Sequence, residues 1–459
     1  MALPTLGTEP STTPASTTTS PVRRRTGRWI DHWDPEDAEF WEGTGRPVAR
    51  RNLIVSILAE HLGFSVWMLW SIVAVNLNAA GFSLTNSQLL WLVAVPSLVG
   101  ATLRLPYTFA VGLFGGRNFT IVSALLLLIP TTGLAIVVQR PDTPFWVLLL
   151  VASTAGFGGG NFASSMTNIS YFYPEKEKGW ALGLNAAGGN IGVAVVQAPF
   201  VVTAVVTAGG GLVLWRAGLM WVPLILLAAF LAWKAMDNLS TAQADFSTSA
   251  AAAKRPHTWV MAFLYIGTFG SFMGYAAAFP MLIKMEFADV NPTSWAFLGA
   301  LVGSLARPFG GRLSDRVGGA AVTAASFVVM GVGVLAAIFA LRAGSFAFFL
   351  ASFLVLFVAT GVSNGSTYRM IPAIFRATAT EGAEGTLRAK REAAAAIGII
   401  SAVGAFGGFF VPRVYSWASE ATGSIEPAMF VYVGVYAAML AVTWCAYLRP
   451  GAAMAKAHV

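Results

Sequence analysis

From residue 52 onward the chain alternates between long apolar runs and short polar interruptions. A helix of about 20 apolar residues crosses the hydrocarbon core of a bilayer. Runs near 52–77, 88–112, 119–139, 144–172, 180–207, 213–235, 258–284, 292–311, 320–341, 345–374, 393–412 and 427–448 predict twelve such spans. The break at 236–257, MDNLSTAQADFSTSAAAAKRPH, is polar and rich in small residues, and divides the spans six and six. Residues 1–22 are rich in Thr, Ser and Pro and almost uncharged, the composition of a disordered tail. Residues 23–51 carry Arg23, Arg24, Arg25, Arg28, Arg46, Arg50 and Arg51 around the stretch WDPEDAEFW, and read as a cytosolic collar on the first span. The expected architecture is all-α and polytopic. It has a cytosolic N-terminal tail (1–51), a six-helix half (52–235), a central cytosolic loop (236–257), a second six-helix half (258–448) and a cytosolic C-terminal tail (449–459).

Composition agrees with the pattern. The 459 residues are 56% hydrophobic and only 11% charged, with a mean hydropathy of +0.67. Soluble domains carry about 25% charged residues, so an ordinary soluble enzyme, a disordered chain and a nucleic-acid binder are excluded. The net charge of +8 is explained by its placement. With both termini inside, Arg140, Arg216, Lys284, Arg342 and Arg413 fall on the outer side, and Arg104, Arg307 and Arg369 fall within spans. Every other Lys and Arg lies on the inner side, as the inside preference of basic residues requires. The first 50 residues build no apolar core, so no cleavable signal peptide is expected. The lone Cys445 excludes an internal disulfide, and four scattered histidines show no metal-ligand spacing, so neither metal nor cofactor is expected.

The halves read as a repeat. Arg104 and Arg307 each sit in the second span of a half, and each is followed by a Gly-Gly-Arg, at 115–117 and 310–312. The fifth span of each half is glycine-rich, GLNAAGGNIG at 183–192 and GIISAVGAFGG at 398–408. Such halves suit alternating access around a midplane site. An arginine within a span costs about 2.5–3.5 kcal/mol on insertion scales, and two at matching positions point to a pair of guanidinium forks holding an anion. The fork offers parallel N–H donors and keeps its charge at any working pH. Phe162, Tyr265 and Phe269 are candidates to limit the anion's size; the last two are four residues apart and share a helix face. The amides Asn161, Asn168, Asn185 and Asn190 must find partners or bind substrate, with Asn190 the deepest. Each feature also has a bland reading, as snorkelling arginines, aromatic packing and close helix contacts at GxxxG spacing.

Three stretches carry a family resemblance. GGGNFASSMTNISYFYPEKEKGWALGLNAAGGNIGVAVVQ (158–197) resembles the nitrate signature of the NarK-type nitrate/nitrite porters, within the major facilitator superfamily. IGIISAVGAFGGFFVP (397–412) resembles their second signature, and GGRLSDRVGG (310–319) the superfamily's loop motif, with Gly311, Asp315 and Arg316 as its conformational residues. The pre-membrane WDPEDAEFW is also similar, and the likeness covers about residues 28–448. The resemblance implies the major facilitator fold and a nitrate held by Arg104 and Arg307. It also implies an aromatic clamp of Phe162, Tyr265 and Phe269, with Asn190, Asn185 and Ser401 as further substrate ligands. The sequence departs from the pattern in having Ala186 after Asn185, where glycine is frequent, and Arg369 in NGSTYRM, where some relatives are uncharged. Arg369 either snorkels to the cytosol or forms an inner anion waystation.

Coupling is open at this stage. Nitrate carries no proton at biological pH, and two arginines without an anion are costly to enclose, which favours nitrate/nitrite exchange. The alternative, proton symport, wants a titratable group, and Glu60 beside His61 is the candidate. Glu60 could equally face the cytosol and pair with the basic residues at the start of its span, and the two side chains project about 100° apart. An anion channel would need no repeat, a sensor would need an output domain, and an enzyme would need more than Glu60 and His61. The expectation is therefore a multi-pass carrier of the cytoplasmic membrane for nitrate and nitrite, with protons as a further candidate partner. It is embedded in lipid, binds no nucleic acid and works as a monomer.

Overall fold

A computed structural model describes residues 24–451, 454, 455 and 459. The tail expected over 1–22, and Arg23, Lys456 and His458, lie outside the described residues. The spanning helices, numbered in chain order, are α1 (Arg46–Leu77), α2 (Asn86–Phe114), α3 (Gly116–Val137), α4 (Phe145–Phe172), α5 (Glu175–Gln197) and α6 (Trp215–Ala235), then α7 (Pro256–Glu286), α8 (Ala296–Val317), α9 (Gly319–Arg342), α10 (Phe346–Ala377), α11 (Ala383–Thr422) and α12 (Glu426–Leu448). Among the described residues, eleven of these are long and apolar enough to cross a membrane. The exception is α8, whose last eleven residues hold Arg307, Arg312, Asp315 and Arg316. Its place between α7 and α9 makes it the twelfth span all the same.

Local chemistry sets the helix ends. Thr85 and Gln88 form a reciprocal capping box that opens α2, satisfying amides that the first turn leaves free. The fifth span ends earlier than hydropathy suggests. Pro199 holds Ala198 extended (ψ 135°) and stops α5 at Gln197. The eleventh span begins ten residues earlier, because Ala383–Glu392 is helical although polar. Gly115 closes α2 at φ 85°, ψ 144°, and Gly318 closes α8 at φ 90°, ψ 137°. Only glycine takes these angles at little cost. Arg104 and Arg307 each precede such a glycine by eleven residues, so this pair of turns, and not the two Gly-Gly-Arg runs, marks the internal repeat. The run at 310–312 lies inside α8, whereas 115–117 is the turn itself.

Helix pairing repeats as well. Helix α1 packs on α5 and α4, and α2 on α4; α7 packs on α11, and α8 on α10. The most extensive packing across the seam between the first six helices and the last six joins α1 to α7, α2 to α11, and α5 to α8. Glycine permits several of these approaches. A Cβ on Gly158 would strike the carbonyl of Gly63 and one on Gly361 that of Gly303, so α4 and α10 lie backbone to backbone on their neighbours.

A small sheet covers the face carrying both chain ends, the tail face. Strand β1 (Arg24–Arg25) pairs antiparallel with β2 (Trp29–Ile30), and β2 pairs parallel with β3 (Asn238–Leu239), just after α6. The fully buried Asp237 receives Arg24 and Arg28 at 2.8 Å and Arg51 at 2.5 Å, and Asn52 also binds it. Trp33 donates to the Phe172 carbonyl, and the Glu36 carboxylate accepts the Glu175 amide at the start of α5. The segment 24–51 is thus bolted to the first six helices and to the chain leaving α6.

Candidate functional site

Arg104 lies on α2 with none of its surface exposed. Its Nε donates to the Gly159 carbonyl of α4 at 3.2 Å, and its Nη1 donates to the Ser401 carbonyl of α11 at 2.9 Å, across the seam. Its Cζ is 4.6 Å from the ring centre of Phe162, 4.8 Å from Phe269 and 5.6 Å from Trp67. Backbone carbonyls and aromatic faces are neutral acceptors. They orient the guanidinium and offset part of its desolvation without cancelling its charge. Nη2 is buried without a hydrogen-bond partner.

Arg307 lies on α8 and is 8% exposed. Its Cζ is 5.6 Å from the ring centre of Tyr368 on α10, and its Nη1 is likewise buried without a partner. Between the arginines runs an aromatic column. Phe162 stacks on Phe269 (6.2 Å, 27°) and Phe269 on Tyr265 (5.4 Å, 14°). The Tyr265 hydroxyl lies beside the Arg307 guanidinium but forms no hydrogen bond of good geometry. A wide helical turn at Ile266–Gly270 begins just after Tyr265 and contains Phe269, so both rings leave α7 where its pitch changes. Gly404 lets α11 lie close against the Tyr265 ring, which a Cβ there would strike. The result is an aromatic-walled site with buried, unpartnered donors on Arg104, Arg307, Tyr265 and Tyr368. Such a donor set fits a small anion with several acceptor oxygens.

The other sequence-predicted residues take different places. Asn190 on α5 is 1% exposed, with Oδ1 unpartnered. Ser401 contributes its carbonyl to Arg104, while its hydroxyl turns back to Gly398. Asn185 belongs to a second cluster, where its Nδ2 donates to Glu60 Oε2 and meets Ser165 Oγ, both at 2.6 Å. Ser165 also donates to Glu60 Oε2 at 2.6 Å and contacts Ser56. Glu60 is therefore not paired with the arginines at the start of its span. It is 1% exposed and makes no ion pair, because the face of α1 carrying residues 56, 60 and 63 turns onto α4 and α5, while Arg51 turns to Asp237. Glu60 Oε1 has no partner and abuts Gly189. His61 points elsewhere, its Nδ1 3.0 Å from the Gly188 carbonyl.

Arg369 forms an ion pair with Asp315 at 2.5 Å, both largely exposed, and so ties α10 to the tail-face end of α8. Gly311 sits in open space on α8, and Arg316 is exposed. Sequence reasoning missed Tyr368 and Trp67, the rings on which Arg307 and Arg104 rest. The signal for Tyr368 was its adjacency to Arg369. Trp67 lay in an apolar run that gave none. Among the described residues, no three His, Cys, Asp or Glu side chains gather as a metal site would need.

Comparison with known proteins bears on this geometry. The family model of the Major Facilitator Superfamily matches residues 61–380. The nitrate/nitrite transporter NarU of Salmonella typhimurium is 43% identical over 444 residues, 92% of this chain and 96% of that protein. NarU of Escherichia coli is 41% identical, over 91% and 96%. The probable nitrate/nitrite antiporter NarK2 of Thermus thermophilus is 37% identical, over 93% and 98%.

Proposed function

The chain belongs to the Major Facilitator Superfamily and, within it, to the NarK-type nitrate/nitrite porters, and from that premise we propose that it exchanges nitrate for nitrite across the cell membrane by alternating access. The observation that carries the reading is the pair of buried guanidinium groups, on equivalent positions of α2 and α8, each with an unpartnered donor. A flat oxyanion accepts from both forks, and Phe162, Phe269 and Tyr265 confine it. Asn190 serves as a further ligand. The halves 52–235 and 258–448 rock against each other about this site, both termini lie in the cytosol, and the monomer is the working unit.

Exchange follows from electrostatics. Without an anion the two arginines place two positive charges in a low-dielectric centre, and enclosing them is expensive. One bound anion halves that charge. The carrier therefore reorients loaded, and nitrite brings it back. The test is counterflow. Liposomes holding nitrite, or nothing, receive external nitrate while an internal dye reports pH. Nitrate entry that requires internal nitrite and moves no protons is expected; entry into empty liposomes with acidification overturns exchange.

One observation favours proton symport as the second reading, namely the buried Glu60 with its free Oε1. A Glu60→Gln carrier that loses proton-driven uptake but keeps exchange would establish it. Under exchange, the variant keeps counterflow within about twofold, since an amide can occupy the carboxylate's place beside Ser165 and Asn185.

A further inference from the structure

Opposite the tail face, the seam between the halves is closed by specific contacts. Ser87 on α2 bonds Ser416 on α11 at 2.9 Å, Gln197 donates to the Ala276 carbonyl at 2.7 Å, and Lys284 donates to the Val75 carbonyl at 2.6 Å. The centre of this closure is Arg413 on α11. Its Cζ lies 3.8 Å from the ring centre of Trp91 on α2, and its Nη1 donates to Ser416 Oγ at 2.7 Å. Phe409, one turn along α11, packs on the same tryptophan at 5.8 Å.

Two independent measures locate Arg413 on the approach to the central site. Trp91 precedes Arg104 by thirteen residues on α2, and Arg413 follows Ser401 by twelve on α11. At about 1.5 Å per residue both distances come to roughly 18–20 Å. Arg104 is bonded to Ser401, so the two helices keep the same register over this length. Arg413 therefore lies outside the clamp along the very helices that line it, about two Debye lengths away at physiological salt.

Its partners are neutral. Among the other basic side chains of this face, Arg342 is neutralised by Glu426 at 2.8 Å, Arg216 and Lys284 are capped by backbone carbonyls, and Arg140 is exposed on the turn between α3 and α4, away from the α2–α11 contact. Among the described residues Arg413 forms no ion pair, and Glu420, on its own helix, stands two turns further out. When α2 and α11 part, Arg413 loses Trp91 but keeps its charge and its bond to Ser416, on its own helix. A half-buried latch becomes an unneutralised guanidinium at the mouth of the pathway.

We propose that Arg413 is a second anion site, an outer recruiting site for small oxyanions that Trp91 partly covers when the seam is closed and frees when it opens. This rests on the anion-exchange reading above. A positive group at the mouth of a low-dielectric cleft raises the local anion concentration and the on-rate by tenfold or more, in a salt-sensitive way.

The test uses the full chain in membrane vesicles of both sidednesses, with nitrate and nitrite as the only probes. Arg413→Gln is expected to raise the KM for nitrate presented to the Arg413 face by about tenfold, to abolish its salt dependence, and to leave the KM at the tail face unchanged. Arg413→Lys keeps the charge and restores the KM. Trp91→Leu breaks the latch without removing the charge, so it alters the maximal exchange rate while the KM stays within about twofold. Equal KM changes at both faces, an unaltered KM in Arg413→Gln, or matching behaviour of Arg413→Gln and Trp91→Leu would overturn the recruiting site and leave only a latch. If the wild-type chain moves neither anion, the exchange reading itself fails; if it exchanges normally and the variants match it, only the outer site does.

Discussion

Arg104 is held by what a lysine cannot reproduce. Its Nε and Nη1 reach carbonyls on two different helices while its plane lies against three aromatic rings. A lysine at this position offers one compact ammonium and no planar fork. Arg104→Lys is therefore expected to lose at least one charge-assisted hydrogen bond to the anion, about 1.5–3 kcal/mol, or roughly tenfold to a hundredfold in nitrate affinity. Arg307→Lys should behave alike, because Tyr368 gives Arg307 the same kind of aromatic seat. Isothermal titration of nitrate into the purified variants checks this, with size-exclusion elution as the control for folding; wild-type affinity in either variant refutes the clamp. At this scale the sequence was only partly legible. An arginine in an apolar run announces itself through its insertion cost, and an aromatic four residues from another announces a shared face. Glu60 and Asn185 are different. Both are polar residues within spans, and nothing local says that they bind each other through Ser165, since the three come from α1, α5 and α4.

At the scale of elements, α8 is the informative helix. Hydropathy finds the apolar middle of a span, which is why polar ends were missed, as in α11, and why the expected end of α8 at 311 fell short of Val317. Helix pairing depends on close approach, which hydropathy does not measure. A Cβ on Gly365 of α10 would strike the carbonyl of Arg307, and one on Gly310 of α8 that of Val362. These contacts fix the depth at which α8 presents its guanidinium. Gly365→Ala is expected to push α8 from α10 and misplace Arg307, lowering nitrate affinity about tenfold, since misplacement by an ångström breaks a charge-assisted hydrogen bond. Gly331, on the next helix with open space around it, is the control, and Gly331→Ala should leave affinity unchanged. Nitrate titration of both variants decides; equal affinities would mean that α10 does not set the position of Arg307.

The collar shows a second limit of legibility. The arginines of 24–51 and the polar break after α6 were both visible, but not that they form one unit. Asp237 stands 213 residues from Arg24 in sequence, and only the fold makes it the common partner of three arginines. Asp237→Asn removes the charge from a fully buried position, and a carboxylate deleted from a buried ion pair costs about 3–5 kcal/mol. Because Arg24, Arg28 and Arg51 are each about a third exposed, solvent screens much of their repulsion. The expected outcome is a thermal midpoint lowered by a few degrees, with nitrate affinity unchanged, read by differential scanning fluorimetry and titration. A fall in nitrate affinity as large as that of Arg104→Lys would place the collar in the transport cycle and not merely in the scaffold.

For the whole molecule, the charge balance makes a prediction independent of any substitution. In one-for-one exchange, the loaded carrier moves the same net charge inward with nitrate as outward with nitrite. The two half-cycles then cancel, and a membrane potential does no net work on the cycle. Each uncompensated charge would instead be worth about 2.3 kcal/mol per 100 mV, roughly fiftyfold in the accumulation ratio. The seam geometry supports a loaded crossing, since Arg104 bonds a carbonyl of the opposite half, and releasing that bond without a substitute would leave a buried cation with the Gly159 carbonyl as its hydrogen-bond partner. In the proposed exchange, an anion bridging Arg104 and Arg307 would supply the substitute. Nitrate/nitrite exchange in liposomes clamped at potentials of either sign should therefore reach the same nitrate distribution at each. A distribution that follows the potential would mean that a further ion crosses with nitrate. Glu60, the buried carboxylate on α1, would then be the first group to substitute.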